Sequence, residues 1–221
     1  MDSKIMVATW GATASLSDPA VVVALRDAGA RRVQLNISDA TVAGGLRISE
    51  LDPPIEAVVS VWTSRPDAAV AVLAARAERV AAWEVTTRAP LDPALPADGT
   101  RVDALANLAF LRRPADLPRT EWLRIWLEDH TRVAIETQAT FGYHQNIVER
   151  ALTPDTPTVD AIVEELFPMA AIGDVHAFYG SGGDPLELES RISRMLASVA
   201  RFGADRDLDV VPTSRFDVKL T

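Results

Sequence analysis

Short apolar runs alternate with helical stretches along the first half of the chain. Lys4 to Trp10 reads as a strand. Ser17-Asp18-Pro19 then supplies a helix start with proline in the first turn, and the helix Ala20 to Ala28 stops at Gly29. In Arg31 to Ser38 the apolar residues Val33, Leu35 and Ile37 take alternate positions, which predicts a strand with one face on a core. A polar stretch, Asp39 to Pro54, precedes the strand Ile55 to Thr63. Pro66 opens a helix predicted to run through Ala81, and Trp83 to Thr87 closes the half as a strand.

The second half repeats the order. Val102 to Arg112 is a strand, Pro118 to Thr140 a helix, Tyr143 to Leu152 and Val159 to Phe167 strands, Leu186 to Phe202 a helix and Leu208 to Val218 the last strand. Asp184-Pro185-Leu186-Glu187 has the form of a capped helix start, and Gly203 sits where a C-terminal cap belongs. Twice β-α-β-β-α-β is two ferredoxin-like units, assigned to residues 1–95 and 101–221 across the Pro- and Asp-rich stretch 91–100. The echo between PIEAVVSVW (54–62) and TVDAIVEEL (158–166) fits a duplication. Each unit leaves one sheet face bare of helices, too large an apolar area to stay wet. The fold class expected is therefore α+β, two ferredoxin-like units packed face to face as a dimeric-type α/β barrel within one chain, with a lumen suited to a hydrophobic small molecule.

Composition narrows the partners. The chain has 221 residues, 31 acidic against 22 basic, for a formal charge of -9, and that field repels phosphate backbones and anionic lipid. Neither nucleic acid nor a membrane is an expected partner. No stretch approaches the roughly 20 apolar residues of a membrane span. With no cysteine, thiolate chemistry and disulfides are excluded, which fits a soluble protein of the reducing cytoplasm.

Residues 101–219 resemble the EthD domain, a branch of the dimeric α/β-barrel superfamily. The similarity is carried by Arg112-Arg113-Pro114, the helix PRTEWLRIWLEDHTRVA (118–134) with Trp126 four residues before His130, GYHQNIVER (142–150), VDAIVEELF (159–167) and VVPTSRFDVK (210–219). The first half matches in element order and in IEAVVSVW, without a Trp–His pair. The resemblance implies a barrel that relatives close by dimerisation, and it implies cofactor-free isomerisation, dehydration, decarboxylation or cyclisation among the known chemistries. A homodimer of barrels is a possible assembly.

The candidate chemistry lies in the second half, which holds all three histidines. Trp122, Trp126 and His130 recur every fourth residue and share one helix stripe, so His130 is either a satisfied edge histidine or, as the family match suggests, a general acid/base at the barrel mouth. Alternation puts His144 and Asn146 on one strand face and Tyr143 on the other. The resemblance favours His144 and Asn146 facing the lumen, with Tyr143 as fallback. In VDAIVEELF the more apolar face, which includes Glu165, suits the helices, leaving Glu164 toward the lumen, where desolvation would raise its pKa. Asn107 interrupts an apolar strand and either orients a ligand carbonyl or bonds backbone. His176 reads as a surface residue before the Gly-rich GSGGDP (180–185), which lacks the Lys-Ser/Thr of a phosphate loop. No metal-ligand spacing occurs, and neither metal nor cofactor is expected.

Taken together, the expectation is a cofactor-independent lyase or isomerase acting on a hydrophobic small molecule. His130, His144 and Glu164 would move protons while Tyr143, Asn146, Asn107 and Trp126 position the substrate. The alternatives are a non-catalytic binding protein and a cofactor-free or haem-using monooxygenase.

Overall fold

A computed structural model describes residues 2–220 of the chain. The first unit contains β1 (Ser3–Trp10), α1 (Thr13–Leu16), α2 (Ala20–Asp27), β2 (Ala30–Ile37), β3 (Ala57–Thr63), α3 (Pro66–Ala74) and β4 (Arg79–Leu91). After a short strand, β5 (Asp98–Arg101), the second unit contains β6 (Leu105–Leu111), α4 (Arg119–Arg124), a π-helical turn Ile125–His130, α5 (Thr131–Thr137), β7 (Gly142–Ala151), β8 (Ala161–Phe167), α6 (Val175–Tyr179), α7 (Pro185–Ala200) and β9 (Leu208–Lys219).

Within the units the strands run in the orders β2-β3-β1-β4 and β7-β8-β6-β9, all antiparallel. Two seams join them. β4 pairs with β7, and β2 pairs with β9, so eight strands close into one barrel inside a single chain. Closure leaves none of these eight strands as a free edge. β5 adds to the outside of the β9 end.

Two local readings are corrected. The helix expected through Ala81 ends at Ala74, because Arg79, Val80 and Ala81 pair with Trp10, Thr9 and Ala8 as the start of β4. Strand pairing there overrides the helix propensity of an Ala-rich run. β5, inside the expected linker, is held by pairing rather than by any pattern of its own, since Asp-Gly-Thr-Arg carries no apolar alternation. Asp184 caps α7 as expected, accepting from the Leu186 and Glu187 amides. Gly203 has φ +82, and a Cβ there would meet Pro114 at 2.3 Å, so both backbone and space call for glycine.

The barrel interior is packed with side chains, as expected of eight strands. Met6, Trp83, Leu108, Phe110 and Ile162 fill one end. The other end holds the buried polar residues Lys4, Gln34, Asn36, Asn146, Glu164, Thr213, Arg215 and Asp217. The expected ligand-holding lumen is therefore corrected: its volume is taken up by a core and an ion network. Outside the barrel, Ile5, Val7, Val33, Leu35 and Val59 pack beneath α2 and α3 of the first unit. Tyr143, Val163, Trp122, Trp126 and Phe202 pack together beneath the helices of the second.

Trp10, Trp83, Trp122 and Trp126 are buried, and Trp62 is partly exposed. Iodide should quench Trp62 and little else, so Trp62→Phe should remove nearly all quenchable emission. Strong quenching that persists in that variant would contradict the burial of the other four.

Candidate functional site

A closed sheet sorts neighbouring residues onto opposite sides. In β7, His144 and Asn146 point inward and Tyr143 and Gln145 outward; in β8, Glu164 points inward and Glu165 outward. The residues expected to converge on one lumen mouth thus fall into two separate groups.

The inward group is an ion network, in which Gln34 Oε1 and Arg215 Nη1 are the atoms left without a hydrogen bond. Glu164 accepts from Gln34 Nε2 at 2.8 and 2.9 Å and from Asn36 Nδ2 at 3.1 Å, and lies 3.1 Å from Arg215 Nη1 and 3.7 Å from His144 Nδ1. Burial pushes its pKa up, but Arg215, His144 and Lys4 outweigh that and hold the carboxyl well below the usual carboxylate range. The expected raised pKa of Glu164 is corrected: it is a permanent anion, unsuited to moving a proton near neutral pH. Asn146 accepts from Lys4 Nζ and Thr87 Oγ1, each at 2.8 Å, and donates to the Ile162 carbonyl at 2.9 Å, leaving little of its amide for a ligand. His144 Nε2 lies 3.2 Å from Asp92, at the barrel rim.

The outward group lines a cavity of about 190 Å³ between the sheet and the helices of the second unit. Strand register aligns Asn107 of β6, Glu165 of β8 and Tyr143 of β7 in one row across its floor. Trp126 and His130 come from the helix above, and Leu46, an exposed residue of the first unit, forms a lip. The π turn explains how this helix keeps Trp122, Trp126 and His130 all buried. Four residues of α-helix overshoot a full turn by about 40°. A wider π turn takes that drift out, and such turns are frequent at functional sites.

Three polar atoms of the residues lining this cavity are sealed from solvent without a hydrogen bond: Asn107 Oδ1, Glu165 Oε1 and the Trp126 indole nitrogen, the last beside Tyr143. Such orphans are rare in native interiors and point to an absent partner. Burial alone, with no cation beside it, pushes the Glu165 carboxyl up to about 8. Some accessible surface remains on Glu165, where the residue lines the cavity. Burial and the nearby Glu165 also push Tyr143 well above its ordinary value, against the opposing influence of Trp126 and Gln145, so its phenol is neutral. His130 is pushed down to about 4 by burial and by Arg201, so it too is neutral. Its Nδ1 lies 2.9 Å from Ser198 Oγ and its ring packs on Phe202, leaving Nε2 for the cavity.

Of the expected residues, His130, Tyr143, Asn107 and Trp126 are brought together here, while His144, Asn146 and Glu164 are not. Glu165 was missed. The signal for Glu165 was present: a carboxylate on the apolar face of VDAIVEELF, with Val163 and Phe167. His176, half-buried in α6, bonds Ser181 at 2.6 Å and is not among the cavity residues.

No family model matches the sequence, and no curated protein matches it. Among solved structures the chain is similar to an anthrone oxidase-like protein, with TM-score 0.56 and 8% identity over 97% of this chain and 91% of that one. It is also similar to a candidate monooxygenase of Fusobacterium nucleatum, with TM-score 0.51 and 7% identity over 97% and 91%. These likenesses place the fold with the dimeric α/β barrels. No helix among the described residues is long and apolar enough to cross a membrane.

The protonated Glu165 has a consequence for stability. Its folded pKa lies above the ordinary carboxylate value, so its contribution is full below about pH 4.5 and is lost as pH rises through about 8. Glu165→Gln should therefore gain stability over the wild type progressively between pH 5 and 8, by on the order of a few kcal/mol, and level off above. Thermal denaturation across that range tests it, and a pH-independent difference would contradict the raised pKa.

Proposed function

We propose that the protein is a cofactor-free monooxygenase that removes a proton from an activated carbon of a small apolar ring compound, in the cavity of the second unit. The observation that carries this reading is Glu165, a buried carboxyl without a counter-ion, titrating near 8 on an apolar floor. At pH 7 about a tenth of it is ionised, and that fraction is a far stronger base than an ordinary carboxylate. The cavity is smaller than the roughly 300–1,000 Å³ of drug-sized sites, which suits a compact substrate.

The carboxylate of Glu165 takes the proton from carbon, and the electron pair spreads onto a conjugated oxygen of the substrate. The Trp126 N–H, buried in the cavity wall beside Tyr143, would donate to that oxygen. The carbanion then reacts with dioxygen. A CH₂ becomes C=O, one oxygen atom stays in the product and the other leaves as water, so no external reductant is required. Protonated Glu165 and the neutral phenol of Tyr143 are positioned to return protons to the departing oxygen.

The likeness to an anthrone oxidase-like protein and to a candidate monooxygenase supports oxygen as the acceptor over the lyase or isomerase chemistry implied by the EthD resemblance. Both chemistries share the first proton transfer. Haem use has no such support, since a cavity of about 190 Å³ does not admit that macrocycle without parting helix from sheet.

Anthrone in deuterated buffer is the test, with rates taken above the uncatalysed background. Without oxygen the protein should exchange the benzylic protons; in air it should consume one dioxygen per ketone formed. Glu165→Gln should lower both rates by roughly 10²–10⁴-fold while the fold persists. Exchange without oxygen uptake would move the assignment to an isomerase, and binding without exchange would make this a binding protein.

A further inference from the structure

Of the 22 basic residues in the chain only two are lysines, Lys4 and Lys219. One of the two is inside the barrel. Lys4 is 6% exposed, on the inward face of β1. Its Nζ donates to Asn146 Oδ1 at 2.8 Å and lies 4.9 Å from the centre of the Trp62 ring.

The ions around Lys4 are already matched without it. Arg32 lies 2.8 Å from Asp217, and Arg215 lies 2.7 Å from Asp217 and 3.1 Å from Glu164. Two guanidiniums thus face two carboxylates. No carboxylate among the described residues lies within ion-pair distance of Lys4, whose hydrogen bond goes to a neutral amide. One N–H satisfies that contact, so the amine does not need its charge.

Lys4 also lines an open cleft of about 410 Å³ at the edge between β1 and β4. Trp62, Val85 and Thr87 line it too, and Asp2, Glu84 and Glu149 are its acidic residues. From these contacts we infer that Lys4 is a second reactive centre of the protein, an amine whose unprotonated form captures small uncharged aldehydes or ketones admitted through the cleft as an imine. The nitrogen lone pair attacks the carbonyl carbon and one N–H proton passes to oxygen, giving a carbinolamine. Loss of that hydroxyl with a further proton, as water, leaves the carbon–nitrogen double bond. Three carboxylates around the opening disfavour anionic carbonyl compounds at the point of admission.

Burial, helped by Arg215 and Arg32 and opposed by Glu164 and Asp217, lowers the Lys4 amine to about 8. His144 of β7 stands beside Glu164 in the same network. At pH 8 about half of such an amine is free, against well under about one per cent of an ordinary lysine.

Reductive alkylation of the wild-type protein with propanal and cyanoborohydride, read by peptide mass mapping, tests the inference without any variant. At pH 7.5 Lys4 should be propylated about tenfold faster than Lys219, with a rate that reaches half its maximum near pH 8. Glyoxylate in place of propanal should lower the ratio of Lys4 to Lys219. Labelling of Lys219 ahead of Lys4 by propanal would overturn the reactive centre. A ratio that rises with glyoxylate would overturn the uncharged class of ligand.

Discussion

Closure of the sheet by the β2–β9 and β4–β7 seams is the constraint from which the chemistry of the second unit follows. In an open sheet with one wet face, adjacent residues of a strand differ in exposure. In a closed barrel covered by helices both are buried, and they differ instead in what surrounds them. Glu164 and Glu165 are the clearest case: consecutive carboxylates, both under cover, with pKa values moved in opposite directions. Inside, Glu164 meets Gln34 and Asn36 of the first unit and Arg215 of the second, so the same ion helps to tie the units together. Outside, Glu165 meets an apolar floor and a helix layer that offers no cation.

That division also shows what could be read from the chain. Strand alternation and helix caps gave the repeated β-α-β-β-α-β order, and the bare face of each unit gave the barrel, because these depend on local pattern and on area alone. Alternation likewise separated Tyr143 from His144 and Glu165 from Glu164 correctly. What the pattern lacked was the identity of the occupants of the lumen. Gln34, Asn36 and Arg215 come from strands that meet Glu164 only through the seams or across the barrel, at sequence separations of 130, 128 and 51 residues. Without those partners, inward burial of Glu164 reads as desolvation alone, the reverse of the outcome. The π turn was invisible for a related reason, since a four-residue stripe of Trp122, Trp126 and His130 looks helical whichever way the backbone accommodates it.

The two units share a scaffold and differ in what they place beneath their helices. In the first unit a larger outer cavity, about 480 Å³, lies among Leu16, Val22, Leu35, Ile37 and Phe216. Its carboxylates are engaged locally, Asp18 by the Ala20 amide and Asp98 by Thr100. Volume alone would favour that cavity, but it holds no orphaned buried polar atom among the described residues, and proton transfer requires a titratable group left unsatisfied. The smaller cavity of the second unit has three such atoms among its lining residues.

Glu165 and Lys4, on opposite sides of the sheet, obey one rule. A buried charge that meets a counter-ion is fixed, as with Glu164 and Arg215, both of which are driven further into their ionised range. A buried group left outside such a pairing gives up its charge more easily: the acid rises to about 8 and the amine falls to about 8. Residue choice follows the same division. Arginine, which stays ionised under nearly all conditions, supplies the cations of the lumen network at Arg32 and Arg215. Lysine, whose amine can lose its proton, stands at the one inward position where the neighbouring ions are already balanced, so the network that holds the barrel shut also determines which of its buried groups is free to react.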